Sequence, residues 1–222
     1  MKRFLAVVSV FLLATLFFTA CSQSDPSVLS VTGSVVFDFA DDESAPDTRL
    51  SLFVQTDTAS QRADHITAVH TESGLTWQIP EPRLIAGSDK NWAGYTNLRP
   101  APGDVIKNGS YSCLYVDAAG NEASTVVTVA YPEELLTATA LTARDCIKTA
   151  VTEYIALYTE TDDLLFFNKR RSSWKSNADI AKDYRNAYTM RRCLVTANNG
   201  VVCLLPPEAL KETKAAAASA DE

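Results

Sequence analysis

Five cysteines, two histidines and one cluster of carboxylates are the residues of this 222-residue chain whose types suit redox, metal or acid–base chemistry. Cys21 closes an N-terminal apolar run and stands apart from Cys113, Cys146, Cys193 and Cys203. Four cysteines allow three disulfide connectivities, and their spacing does not choose among them. A hairpin at Asn198-Asn199-Gly200 would bring Cys193 opposite Cys203 and leave Cys113 with Cys146. Unpaired buried thiols are the other reading, since free cysteine packs as a small hydrophobe. A zinc site is not expected, because the chain has no C-x-x-C and no His-rich spacing. His65 and His70 stand at odd spacing, on opposite faces of one strand, and do not converge on a metal. Asp38, Asp41, Asp42, Glu43 and Asp47 lack the regular spacing of a calcium loop and read as a solvated acidic break between strands.

Nucleophilic chemistry fares no better. Ser172-x-x-Lys175 has the spacing of serine acyl-enzymes, but their S-D-N and K-T-G elements are missing. There is no G-x-S-x-G, no P-loop, no G-x-G-x-x-G and no H-E-x-x-H. With no nucleophile–base pair, the sequence points away from an enzyme and toward a protein without metal or cofactor. Acidic residues outnumber basic ones 27 to 20, for a net charge of −7 and a pI near 4.9, which disfavours nucleic acid as a partner. Aromatic and basic clusters remain as binding candidates. Trp92 and Tyr95, in the Gly87 to Pro102 stretch, have the character of interface anchors, with ordinary core packing as the bland alternative. Lys169-Arg170-Arg171, with Arg191-Arg192, Trp174 and Tyr184 further on, reads as a solvated face or as a contact for acidic partners or lipid headgroups.

The elements that must position these residues begin with a leader. Lys2 and Arg3 precede Phe4 to Ala20, an uncharged apolar run with small residues at its end, the pattern of a secretory signal. Phe18-Thr19-Ala20-Cys21, followed by Ser22-Gln23-Ser24-Asp25, resembles the lipobox of bacterial lipoproteins, with Phe18 in place of the usual leucine. The resemblance implies that Cys21 is acylated and becomes the first residue of the mature chain. Several acyl chains, at about 0.8 kcal/mol per buried CH₂, then anchor the protein durably in membrane lipid. Ser22 rather than aspartate after the cysteine implies the outer membrane, at its periplasmic face or at the cell surface.

Residues 31 to 131 read as strands. Val31, Gly33, Val35, Phe37 and Phe39 share one parity, and Leu50, Leu52 and Val54 repeat the pattern after the acidic break. Ile66 and Val69, then Leu75, Trp77 and Ile79, mark two more strands around Glu72-Ser73-Gly74. Asn108 to Glu122 resembles the last hairpin of immunoglobulin-like and fibronectin type III-like domains, because Gly109-x-Tyr111-x-Cys113 has tyrosine-corner spacing. The resemblance implies a buried Tyr111 whose hydroxyl bonds to backbone upstream. Residues 22 to 112 hold no cysteine, so Leu52 or Val54 takes the core position that a disulfide fills in antibody domains. Tyr111, Cys113 and Tyr115 then face inward, and Leu114 and Val116 look outward, with the following module as the nearest cover.

Charge balance changes at Pro132: residues 31 to 131 hold six basic and thirteen acidic side chains, residues 132 to 207 ten and nine. Residues 143 to 160 fit helix or strand, and their β-branched content favours strand. Leu164 to Phe167 returns as a hairpin, Ile180, Tyr184, Ala187 and Tyr188 fit a short helix begun near Asn177 or Asp179, and Pro206-Pro207 ends the fold. The expected fold is mainly β: an immunoglobulin-like β-sandwich followed by a smaller, mostly β (α+β) module. The organisation is a signal peptide (1–20), a lipidated tether (21–30), the sandwich (31–131), the smaller module (132–207) and a disordered tail (208–222). The expected function is a membrane-anchored, non-catalytic binding or adhesion module for a protein or extracellular ligand. A structural or assembly component of the cell envelope, docking a partner complex, is the alternative.

Overall fold

The computed structural model describes residues 25–57, 62–86 and 91–211. Cys21 with its leader, and the alanine-rich tail, fall outside the described residues. The strands are β1 (Val28–Asp38), β2 (Asp47–Thr56), β3 (Ala63–His70), β4 (Thr76–Ile79), β5 (Arg83–Ala86), β6 (Asn91–Leu98), β7 (Gly109–Asp117), β8 (Glu122–Val129), β9 (Val151–Tyr158), β10 (Leu164–Lys169), β11 (Thr189–Thr196) and β12 (Val201–Ala209). They form an eight-stranded sheet, in the order β10-β9-β11-β12-β1-β2-β6-β5, and a four-stranded sheet, β4-β3-β7-β8. The fold is mainly β, a sandwich followed by a smaller β-rich segment.

Period-two alternation explains the packing. Val35 and Phe37 of β1 and Leu50, Leu52 and Val54 of β2 are buried on one face of the large sheet. They share a core with Ile66 and Ala68 of β3 and with Tyr111, Cys113 and Tyr115 of β7. Two sheets that each bury one face against the other make a sandwich. Tyr111 is fully buried and its hydroxyl donates to the Lys107 carbonyl at 2.7 Å, the tyrosine-corner bond that the sequence implied. His70, also buried, tilts against the Tyr111 ring with centroids 4.8 Å apart. Its Nε2 lies 3.0 Å from the Asn108 carbonyl and its Nδ1 2.8 Å from Ser73 Oγ, so the ring ties β3 to the entry of β7.

Leu114 and Val116 do face away from this core, but the C-terminal strands do not cover them; those strands join the other sheet. Cover comes from within the small sheet. Thr67 and Ser124 stand opposite Leu114, and His65 and Glu122 opposite Val116, close enough to shield an outward side chain.

The two halves of the chain are continuous through one ladder. β12 runs parallel to β1, from Val35 opposite Val201 to Asp38 opposite Leu204. Leu194, Val201, Cys203 and Leu205 therefore complete the core begun by β1 and β2. Asp38 clamps this junction: it accepts from Arg49 of β2 and from Arg191 of β11, each at 2.6 Å. Arg191 also donates to the carbonyls of Phe39, Leu204 and Leu205, so one guanidinium closes the end of three strands.

β9 is a strand, as the β-branched content of residues 149 to 157 suggested. Single helical turns at Glu133–Leu136 and Ala143–Cys146 precede it, too short for a periodicity to reveal. The helix Asn177–Asp183 begins at a capping box, with Ser176 as the cap and Asp179 accepting from the Ser176 backbone N–H at 2.8 Å. It stops at Asp183, so Tyr184, Ala187 and Tyr188 lie beyond it rather than within it. Ile180 and Trp174 pack with Ile155, Leu157 and Met190 in a second, smaller cluster.

Two expectations are corrected here. Pro206-Pro207 does not end the fold, because β12 continues to Ala209. The prolines are tolerated since pairing with β1 stops at Leu204 and the register to β11 shifts between Arg191 and Cys193, removing the need for ladder N–H groups there. The Cys193–Cys203 bridge is not made either. Cys193 stands opposite Leu204, and Leu194 opposite Cys203, so the two thiols point to opposite faces of the sheet. Cys113, Cys146, Cys193 and Cys203 are all free. Burial pushes the thiols of Cys113 and Cys193 up to about 11 and that of Cys203 to about 12, which keeps them protonated and unreactive.

Candidate binding surface

Tyr95 and Trp92 are carried by β6, which pairs with β2 on one side and with the edge strand β5 on the other. Gly94 is what lets β6 lie so close to β2. A Cβ at this position would stand 2.0 Å from the Leu52 carbonyl oxygen and 2.7 Å from the Phe53 ring. Trp92 lies opposite Gln55 and Ile85 and is half-buried, so it serves partly as packing. Tyr95 is 41% exposed and lies just past the residues of β6 that pair with the edge strand β5, whose Leu84 and Ile85 are also exposed. Beside Tyr95 is a shallow cleft of about 370 Å³, lined by Gln78, Ile79, Pro80, Glu81, Tyr95 and Leu98. Its lining is mostly apolar, with one phenol, one amide and one carboxylate, and comes from both sheets. Such a site suits an extended peptide or another apolar segment; Glu81 alone gives no acid–base pair.

Lys169 is the last residue of β10, and Arg170 and Arg171 follow it, at the opposite edge of the same sheet. The structure therefore separates the five candidate residues into two surfaces. Arg171 is engaged internally. Its guanidinium carbon lies 4.9 Å from the Trp174 ring centre, 5.3 Å from that of Phe166 and 5.5 Å from that of Tyr184. It also donates to the Tyr184 hydroxyl at 3.1 Å, while the Trp174 indole donates to Asp183 at 2.7 Å. Arg170 donates to the Trp174 carbonyl and lies 3.8 Å from Glu153, whereas Lys169 is exposed. Two of the three cations thus pack the second cluster as well as presenting charge.

The remaining candidates have structural partners. Asp41 accepts from the backbone of Glu43 and Ser44 and from the Ser44 hydroxyl; the Ser44 backbone bond foremost holds its carboxyl below the usual range. Asp38 is committed to its two arginines, so the acidic break does not gather ligands. Among the described residues no group of three or more His, Cys, Asp and Glu side chains could hold a metal ion. His65 pairs with Asp64 at 2.8 Å while His70 is buried, the divergence expected of odd spacing. Asp117 organises the β7–β8 turn. Burial would raise its pKa, but N–H bonds from Asn121 and Ala119, the Asn121 side chain and Arg62 at 2.7 Å bring it below the usual value. Leu84 and Ile85 were missed from the sequence, because the four residues of β5 are too few to show a period, and so were Pro80 and Glu81.

No protein-family model matches the chain, and no curated protein is significantly similar to it. Among the described residues no helix is long and apolar enough to cross a membrane.

Proposed function

We propose that this chain is a lipid-anchored, non-catalytic binding module that engages a protein or extracellular ligand at the Tyr95 cleft. The observation that carries the reading is Tyr95, 41% exposed and lining a cleft with Ile79, Pro80 and Leu98 as its apolar members. A rigid sandwich that presents an exposed aromatic beside a cleft has what recognition requires. Attachment rests on the Phe18-Thr19-Ala20-Cys21 sequence, and Ser22 favours the outer membrane as its destination.

The anchor has a direct test. Cys21→Ser should leave the chain unprocessed or release it from the detergent phase in a phase-partition assay, because the acyl chains supply its membrane affinity. A Cys21→Ser chain with the leader removed that still partitions into detergent would reject lipidation. Protease treatment of intact cells then distinguishes roles. Digestion of the sandwich places the cleft toward an external ligand, and full protection places it toward an envelope partner.

A further inference from the structure

Four strands lie at sheet edges among the described residues: β4, β5, β8 and β10. Edges are usually blunted by shortness, proline or charge. β4 has four residues and runs into Pro80, β5 has four and follows Pro82, and β8 faces solvent with Ser, Thr and Glu at most outward positions. β10 differs. Leu164 is 58% exposed, Phe167 is 53% exposed, and Leu165 is exposed as well, so the strand is apolar on both faces without a proline. Its ends carry opposite charges: Asp162 and Asp163 precede it, Lys169 is its last residue and Arg170 follows.

We propose that β10 pairs with β10 of a second copy of this chain, antiparallel about a two-fold axis at Phe166, joining the two large sheets edge to edge. In that register Asp163 faces Lys169 of the other copy, a contact that occurs twice. Leu165 faces Phe167, and Phe167 already stacks on Tyr154 of its own sheet with centroids 5.4 Å apart. An acid–apolar–basic strand is complementary to itself only when antiparallel, and this specifies a closed pair rather than a growing fibre. Phe166 to Lys169 pair regularly with β9, and the shift of register between Leu164 and Phe166 places a bulge at Leu165 that the partner strand has to cross.

The test uses the full chain in density-matched detergent, with sedimentation reading the protein mass. Wild type should sediment as a concentration-dependent dimer. Lys169→Glu alone and Asp163→Lys alone should each raise the dimer dissociation constant at least tenfold, since like charges then face each other twice. An equimolar mixture of the two variants should restore dimerisation, because their altered charges are complementary; this outcome also shows that both variants are folded. A monomeric wild type at every concentration, single variants that dimerise as well as wild type, or a mixture that stays monomeric would overturn the proposal.

Discussion

Tyr111→Ala should destabilise the protein by about 3–5 kcal/mol, enough to unfold most single domains. The ring is completely buried at the centre of the sandwich, against His70 and parallel to Trp77, with centroids 6.0 Å apart in the latter pair. Deleting it removes the transfer free energy of a large aromatic and leaves a cavity between sheets that cannot collapse onto each other. Tyr111→Phe isolates the corner bond. It keeps the ring and strands the Lys107 carbonyl, at a cost of about 1 kcal/mol. Tyr115 is the internal control, because its buried hydroxyl has no partner among the described residues. Tyr115→Phe should therefore be neutral or stabilising. Urea denaturation with an unchanged slope for all three variants measures these differences; a Tyr111→Ala protein as stable as wild type would contradict the buried corner.

The second large effect is expected at the junction of the two halves. Asp38→Ala leaves Arg49 and Arg191 without their shared carboxylate, and should cost about 3 kcal/mol. Both arginines and the aspartate are largely shielded, with side-chain exposures of 18–26%, so solvent replaces the lost partner poorly. The same clamp sets a pH dependence. Burial acts to raise the Asp38 pKa, but hydrogen bonds from Arg49 and Arg191 and their charges outweigh it, and the pKa is lowered. A carboxyl whose folded pKa lies below its unfolded value stabilises fully above the ordinary carboxylate range, and loses that contribution as pH falls through the folded pKa. Wild-type stability should thus decline on acidification below about pH 4, the ordinary aspartate value, and the Asp38→Asn difference should shrink over the same interval. Other lowered carboxylates, Asp117 among them, act in the same window, so the difference between the two proteins carries the Asp38 contribution. A gap between wild type and Asp38→Asn that stays constant down to pH 2 would contradict the clamp.

The strands were legible where alternation marks a buried face: Val35 and Phe37, Leu50, Leu52 and Val54, and Tyr111, Cys113 and Tyr115 all face the core. The Asn198-Asn199-Gly200 turn was legible too, from residues that tolerate positive φ; Asn199 adopts +57°. What joins β12 to β1 was not legible. A parallel pair between the two ends of a chain leaves no local pattern, and Arg191 reaches Asp38 across 153 residues of sequence. The Cys193–Cys203 expectation failed for a related reason. A hairpin signal locates a turn but not its register, and a shift of one residue sends a side chain to the other face. At the binding surface, Tyr95 could be singled out as an aromatic in a polar stretch. Leu84 and Ile85 could not, because a four-residue strand is too short to show a period. The basic run was visible as composition, while the aromatic packing of Arg171 depends on the helix and β10 meeting in space.

Placing a photo-cross-linking residue at position 95 in living cells tests binding at the β5–β6 edge most directly, with position 126 as the comparison. Val126 is 60% exposed on β8 of the other sheet, away from the cleft. Occupation of the cleft predicts a discrete adduct from position 95 and none from position 126, in proteins whose melting temperatures match wild type. No adduct from position 95, or the same adduct from both positions, would contradict recognition at Tyr95.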